Sequence, residues 1–304
     1  MKQSMNIYDK LCSIAGKANV LQDEPMSRHT TFRTGGPAEF LVSPDMDSLP
    51  GVIMFCREQA IPLTVIGNGS NLLVGDKGIP GVVVEIGRMM GEITLKDRKI
   101  TAQAGALLSA VSAKAAADGL TGLEFASGIP GSVGGAVIMN AGAYGGEIKD
   151  TLVAATVLTK DGQIVRLPAE DLELSYRHSN LPEKESVVLE AEFVLEEGDV
   201  DEIAEVLADL KQKRTSKQPL EYPSAGSTFK RPEGHFAGKL IEDAGLKGYT
   251  IGGAQVSEKH CGFVINKGGA TSADVLELIR LIQKTVEEQF GVSLETEVRL
   301  LGMF

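Results

Sequence analysis

The sequence predicts an α+β protein built from two or three packed units, and three observations carry that expectation. At 304 residues the chain exceeds one typical domain. Up to about residue 198 it reads as short strands and a few helices strung between glycine-rich turns. After a charged helix near 198–218, a second and smaller set of helices and strands begins. Nothing repeats at a fixed period, so solenoids and propellers are not expected.

From residue 6 to 34 a short helical pattern gives way to a polar stretch ending in Arg28-His29-Thr30-Thr31-Phe32-Arg33-Thr34-Gly35-Gly36. Alternation over 38–43 predicts a strand. Leu49, Val52, Ile53 and Cys56 then share one face of a helix over 49–59. A short buried strand over 62–66 runs directly into Gly67-Asn68-Gly69-Ser70-Asn71-Leu72. Further strands are expected at 82–86 and 99–103, followed by an alanine-rich helix over 107–117 that Asp118-Gly119 stops.

Residues 126–146 hold seven glycines yet are apolar and poor in charge, which predicts buried loop rather than flexible linker. Segments 151–159 and 163–167 flank Lys160-Asp161-Gly162 as a hairpin with an Asp-Gly turn, and 187–195 is another strand. A helix over 199–217 is acidic at its start and basic at its end, as the helix dipole favours, and Pro219 and Pro223 break it. Beyond it lie a helix over 236–245, a strand over 262–266, a helix over 271–290 and a strand over 296–301. Thr271 and Asp274 have the spacing of a helix-capping pair.

Composition narrows the function. A net charge of −11 argues against nucleic acid, whose phosphates are bound through surplus Lys and Arg. Phosphorylated small molecules remain open, because aligned N–H groups or a few basic residues suffice for them. The three cysteines, Cys12, Cys56 and Cys261, form no CxxC and read as reduced thiols. His29, His178, His235 and His260 lack metal-ligand spacing, so no metal is expected. The first 25 residues contain no signal-like apolar core, and no apolar run approaches the ~20 residues of a membrane helix. A cytoplasmic protein without a membrane partner is expected; its oligomeric state is not readable from the sequence.

Two glycine-rich strings carry the chemistry. Gly67-Asn68-Gly69-Ser70-Asn71 follows a strand and can aim several N–H groups at one anion. It has neither the spacing of a dinucleotide fingerprint nor the Gly-Lys-Ser/Thr of a P-loop. The second string, Ser127-Gly128-Ile129-Pro130-Gly131-Ser132-Val133-Gly134-Gly135, continues into Met139-Asn140-Ala141-Gly142-Ala143-Tyr144-Gly145. Two such loops without a lysine fit a diphosphate held by backbone amides.

These strings, with the run from His29 to Gly36, resemble the UDP-N-acetylenolpyruvoylglucosamine reductase family. Ser175-Tyr176-Arg177-His178-Ser179, Ser224-Ala225-Gly226-Ser227-Thr228-Phe229-Lys230, Gly252-Gly253-Ala254-Gln255-Val256-Ser257 and Leu294-Glu295-Thr296-Glu297-Val298-Arg299 extend the resemblance over about 29–302. It implies a two-lobed FAD-binding domain of the p-cresol methylhydroxylase and vanillyl-alcohol oxidase type, plus a smaller α+β substrate-binding domain. The lobes are expected at 1–66 with 296–304 and at 67–213, and the substrate domain at 214–295. No inserted segment separates Arg177 from Ser227, which matches the shorter family layout without a tyrosine-bearing lid loop.

The resemblance further implies NADPH-dependent, FAD-mediated reduction of the enolpyruvyl ether of a UDP-amino sugar in peptidoglycan precursor synthesis. It makes Ser227 the proton donor, puts Arg177 on the substrate carboxylate or enolate, and has Glu297 help polarise the same group. Non-covalent FAD is expected on Arg33, Gly67, Asn68, Gly69, Ser70, Asn71, Gly128, Pro130, Gly131, Ser132, Gly134, Gly135, Asn140, Ala141 and Gly142. Tyr176, Arg214, Lys230 and Gln255 are the substrate candidates. An arginine suits the task because it keeps its charge and grips a carboxylate through two donors. A serine needs a strongly basic carbanion and a cation such as Lys230 or Arg231 nearby to act as an acid. Period-two alternation over 295–299 puts Glu295 and Glu297 on one face, and only the motif selects Glu297. Two other readings stay open on the residues alone: an FAD-dependent sugar or alcohol oxidase of the same fold, and a non-catalytic flavin or nucleotide-sugar binder.

Overall fold

The structure, a computed structural model, describes residues 6–304. Residues 1–5, which the sequence assigns to the first lobe, lie outside the described residues. The chain divides into two compact units. The first comprises Met1–Gln22, Phe40–Asn68 and Gly81–Lys213; the second comprises Asp23–Glu39, Gly69–Pro80 and Arg214–Phe304. In this division residues 296–304 and 69–80 fall in the same unit.

In the first unit, α1 (Ile7–Ala15) starts where Asn6 accepts the Asp9 N–H at 2.7 Å, which satisfies one of the orphan donors of a helix start. α2 (Leu49–Glu58) buries Leu49, Val52, Ile53 and Cys56, the face read from the sequence. α3 (Leu108–Ala117) also lies where expected. A five-stranded antiparallel sheet runs in the order Ile164–Pro168, Leu152–Leu158, Val187–Val194, Lys99–Gln103, Ile93–Lys96. Its register stacks Ala155, Ala191 and Ala102 side by side over the core, next to Phe193 opposite Ile100. All five are fully buried. Glu190 and Glu192 alternate with them on the opposite face.

One expectation fails in this unit. Part of the buried loop predicted over 126–146 is a helix, α4 (Val133–Ile138). Val133, Ala136 and Val137 bury the i, i+3, i+4 face, and the helix packs on strand Val187–Val194. Two glycines argue locally against a helix, yet a side chain at Gly134 would come within 3.0 Å of the Ala104 Cβ. Tertiary packing overrides propensity here.

α5 (Val200–Lys217) is capped by Asp199, whose carboxylate accepts the N–H groups of Asp201 and Glu202. Of its side chains only Ile203 is buried. In the second unit, α6 (Ala237–Asp243) and α7 (Ser272–Phe290) belong with a three-stranded sheet ordered Thr250–Ile251, Ala254–Val256, Val264–Asn266. The Thr271–Asp274 capping box is present, and Gly291 ends α7 in the left-handed region. Val275, Leu278, Ile279, Ile282 and Val286 join Phe32, Leu73, Ile241 and Val264 in one apolar cluster.

The strand expected at 296–301 is shorter than predicted. Only Arg299–Leu301 is regular, pairing in parallel with Leu72–Val74, while Thr296 makes a single bridge to Phe229. Around that bridge Lys230 donates its N–H to the Glu295 carbonyl at 2.8 Å and Glu297 donates its N–H to the Thr228 carbonyl at 2.9 Å, so antiparallel pairing and its alternation hold over 295–297, and the bend falls at Val298. Among the described residues no helix is long and apolar enough to cross a membrane.

Candidate active site

In the first unit the two glycine strings meet. The Asn68 amide donates to the Pro130 carbonyl at 2.5 Å. Gly67 lies so close to Ser132 that an added Cβ would fall 2.2 Å from the Ser132 Oγ. That separation is well inside contact distance, so a side chain at 67 would fit only if the Ser132 hydroxyl swung out of its place. Ser132 itself is 2% exposed, and its hydroxyl has no hydrogen-bond partner among the described residues. A buried, unsatisfied hydroxyl between two glycine loops calls for an acceptor or donor that the protein does not supply. Gly67, Asn68, Gly128, Pro130, Gly131, Ser132, Gly134 and Gly135 thus form one neighbourhood in this unit. It fits the phosphate portion of FAD.

The string beyond α4 turns to a second task. Asn140 has a left-handed backbone (φ 40°) and is fully buried. Its Oδ1 accepts the Lys149 N–H at 2.9 Å, and its Nδ2 donates to Glu147 Oε2 at 2.6 Å and to the Ser175 carbonyl at 3.1 Å. Both amide hydrogens are therefore committed to protein, and so are the backbone N–H groups of Asn140 and Ala141, which donate to the Val137 and Ala136 carbonyls at 3.2 and 2.8 Å.

Arg177 sits in a tight turn in which Ser175 and His178 exchange backbone hydrogen bonds at 3.2 and 3.1 Å. Its own φ of 56° is left-handed, a conformation a long side chain adopts at a cost of order 1 kcal/mol. The guanidinium lies 5.0 Å from the Tyr176 ring centre, and its Nη2 donates to the Gly142 carbonyl at 3.3 Å. Tyr176 is half exposed.

In the second unit the Thr30 hydroxyl donates to the Thr34 carbonyl at 2.9 Å, closing the turn on which Arg33 stands with φ 56°. The Thr31 N–H reaches the Gly69 carbonyl at 3.2 Å, which ties the His29–Gly36 run to Gly69, Ser70 and Asn71.

Ser227 is exposed, while its neighbour Thr228 is fully buried and anchored on three sides. Thr228 donates its N–H to the Gly262 carbonyl (2.9 Å), accepts the Val264 N–H on Oγ1 (3.0 Å) and accepts the Glu297 N–H on its carbonyl (2.9 Å). Gly226, with φ 73°, supplies the left-handed step that turns the chain outward before Ser227. Asn71 donates to the Glu297 carbonyl at 3.0 Å. Ser227 and Glu297 are thus fixed to each other through backbone.

The remaining candidates separate. Lys230 pairs with Glu295 at 2.8 Å, which distinguishes Glu295 from Glu297 physically: the former is a surface ion-pair partner. The amide of Gln255 donates to the Gly248 carbonyl and to the Thr250 hydroxyl, both at 3.2 Å, leaving its Oε1 buried without a partner. Arg214 stands half buried in the last turn of α5. Arg231 stacks 4.1 Å from the Phe236 ring centre. Sequence reasoning missed Thr228 and Glu147 as anchors: the partners of Thr228 are distant in the chain, and the pair that Glu147 makes with Asn140, seven residues back, forms no recognised motif. Among the described residues no group of three or more His, Cys, Asp or Glu side chains could hold a metal.

Comparison with known proteins agrees with this architecture. Residues 38–168 match the model of an FAD binding domain, and 218–301 match that of the UDP-N-acetylenolpyruvoylglucosamine reductase C-terminal domain. A protein from Agathobacter rectalis named UDP-N-acetylenolpyruvoylglucosamine reductase is 60% identical over 94% of this chain and 95% of its own length. One of the same name from Clostridium botulinum is 53% identical over 99% of both. The crystal structure of the UDP-N-acetylenolpyruvylglucosamine reductase of Thermus caldophilus superposes with a TM-score of 0.80 at 37% identity, covering 93% of this chain and 98% of that one. The expected fold class, an FAD-binding domain plus a smaller α+β domain, is borne out.

Proposed function

The chain belongs to the UDP-N-acetylenolpyruvoylglucosamine reductase family, and from that premise we propose how its residues divide the reaction. It is an oxidoreductase that uses FAD and reduces the enolpyruvyl ether of UDP-N-acetylglucosamine enolpyruvate to the lactyl ether of UDP-N-acetylmuramate. In our reading NADPH is the reductant, the flavin is held non-covalently, and the product enters peptidoglycan synthesis in the cytoplasm, with the attendant roles in cell shape and division. The observation that carries the reading is the unsatisfied Ser132 hydroxyl between two glycine loops, within a chain 60% identical to a named reductase.

FAD, when bound and reduced by NADPH, would supply the hydride that the vinyl carbon of the substrate accepts. Gly67, Asn68, Gly128, Pro130, Gly131, Ser132, Gly134 and Gly135, with Arg33, Gly69, Ser70, Asn71, Asn140, Ala141 and Gly142, are the residues we assign to holding it. Hydride addition leaves an electron pair on the second carbon, delocalised into the neighbouring carboxylate. We assign Arg177 to that carboxylate, where a permanent cation with two parallel donors stabilises developing negative charge. Ser227 then gives its hydroxyl proton to the second carbon, and Glu297 helps polarise the carboxylate or enolate on which Arg177 acts. The exposed hydroxyl on a rigidly anchored turn supports the first of these roles, because a proton donor must be both reachable and fixed. Tyr176, Arg214, Lys230 and Gln255 are the proposed substrate contacts.

The test is product formation. Purified protein loaded with FAD is incubated with NADPH and UDP-N-acetylglucosamine enolpyruvate, and the product is identified by mass spectrometry. Stoichiometric UDP-N-acetylmuramate is expected. NADPH consumption without that product would overturn the proposal.

A further inference from the structure

Three hydrogen bonds tie the turn that carries Arg177 to the last residue of α4 and the segment after it. Asn140 Nδ2 donates to the Ser175 carbonyl (3.1 Å), Ser179 Oγ donates to the Ile138 carbonyl (2.9 Å), and Arg177 Nη2 donates to the Gly142 carbonyl (3.3 Å). Asn140 is the pivot of this set, and it is fully buried. Its amide is held in one orientation from both sides: the Lys149 N–H on Oδ1 and the Glu147 carboxylate on Nδ2. A flipped amide would turn Oδ1 toward both that carboxylate and the Ser175 carbonyl, two acceptors. Glu147, together with the Lys149 N–H, therefore sets which way Asn140 donates.

Glu147 is itself fixed. Its other oxygen pairs with Lys149 Nζ at 2.8 Å, its backbone N–H donates to Asp150, and its strand partner is Gly142. The left-handed backbone at both Asn140 and Arg177 makes the turn one that does not hold itself open cheaply. External tethers must supply what local propensity withholds.

We propose that Glu147 and Asn140 are positioning residues for Arg177: Glu147 orients the Asn140 amide, and Asn140 clamps the Ser175 carbonyl so that the left-handed Arg177 turn keeps its aim. This rests on the assignment of Arg177 to the substrate carboxylate. It predicts that losing the Glu147 tether slows the step in which Arg177 acts far more than it affects flavin binding or flavin reduction.

The experiment uses the FAD-loaded enzyme and follows the two half-reactions separately by rapid-mixing absorbance. For Glu147→Ala, flavin content and reduction by NADPH are expected to stay within about twofold of the parent, while reoxidation by the enolpyruvyl sugar slows about 10- to 100-fold. Glu147→Gln, which keeps an acceptor for the Asn140 amide, is expected to recover most of that loss. In an Arg177→Ala background, Glu147→Ala should slow reoxidation no further, since both changes remove the same interaction. Equal slowing of both half-reactions, or effects of Glu147→Ala and Arg177→Ala that multiply, would overturn the proposal. A parent enzyme whose reduced flavin the sugar does not reoxidise would instead remove the reading beneath it, and the two failures are thus told apart.

Discussion

Glu297 donates its backbone N–H to the carbonyl oxygen of Thr228 at 2.9 Å, so the segment bearing Glu297 and the turn bearing Ser227 are parts of one rigid element. Because Asn71 also donates to the Glu297 carbonyl, the glycine string 69–71 is built into the same frame. The two segments are held by a backbone bond reinforced by buried or half-buried side chains, Thr228 Oγ1 on the Val264 N–H and the Asn71 amide on the Glu297 carbonyl.

Ser227→Ala is expected to lower turnover by about 10²–10⁴ while NADPH still bleaches the flavin at close to the parent rate. Thr228 keeps its three anchoring bonds in this variant, so thermal stability should not move. Comparing the reduction and reoxidation rates checks it; equal loss in both would assign Ser227 to flavin binding instead.

Arg177→Lys keeps the charge but loses the two-pronged grip and the bond to the Gly142 carbonyl. Turnover is expected to fall about 10²–10³. A lysine variant within threefold of the parent in steady-state assays would show that charge alone is needed.

Gly67→Ala introduces a methyl 2.2 Å from the Ser132 Oγ. Overpacking of this kind costs about 1–3 kcal/mol, and the purified variant should carry less flavin and melt earlier. Adding Ser132→Gly makes room and should restore the melting temperature, though not full flavin affinity. A single variant as stable and as yellow as the parent would show that the loops yield freely.

Glu192 gives the protein a calculable acid sensitivity. It accepts from Arg166 at 2.7 and 3.0 Å and pairs with Lys99, and these partners hold its carboxyl at about 2, below the 4.5 of an unperturbed glutamate. A depressed folded-state pKa contributes stability that is complete above about 4.5 and lost as pH falls from there toward about 2. The contribution is at most about 3 kcal/mol. Urea unfolding of the parent and Glu192→Gln should therefore differ most above pH 5, with the gap closing on acidification; a gap constant with pH would contradict this.

Much of this was legible in the sequence, and the exceptions share a cause. The buried face of α2 and the Thr271–Asp274 cap were readable because neighbours in sequence make them. α4 was not, since Gly134 packs on Ala104, a residue far back in the chain. The glycine strings announced a cofactor loop, but not that Gly67 is shaped around Ser132 or that Asn140 spends its amide on Ser175. Glu295 and Glu297 look equivalent by alternation, and what sets Glu295 apart is its surface ion pair with Lys230, a residue 65 positions away. Chemistry-bearing residue types show in a motif; the tethers that aim them are long-range and do not.

The most direct test of the central claim is an anaerobic absorbance trace of the FAD-loaded protein, with NADPH added first and UDP-N-acetylglucosamine enolpyruvate second. Loss of the flavin colour with NADPH and its return with the enolpyruvyl sugar, without oxygen, is the predicted result. Colour that returns only when oxygen is admitted would contradict the account and make the protein an oxidase.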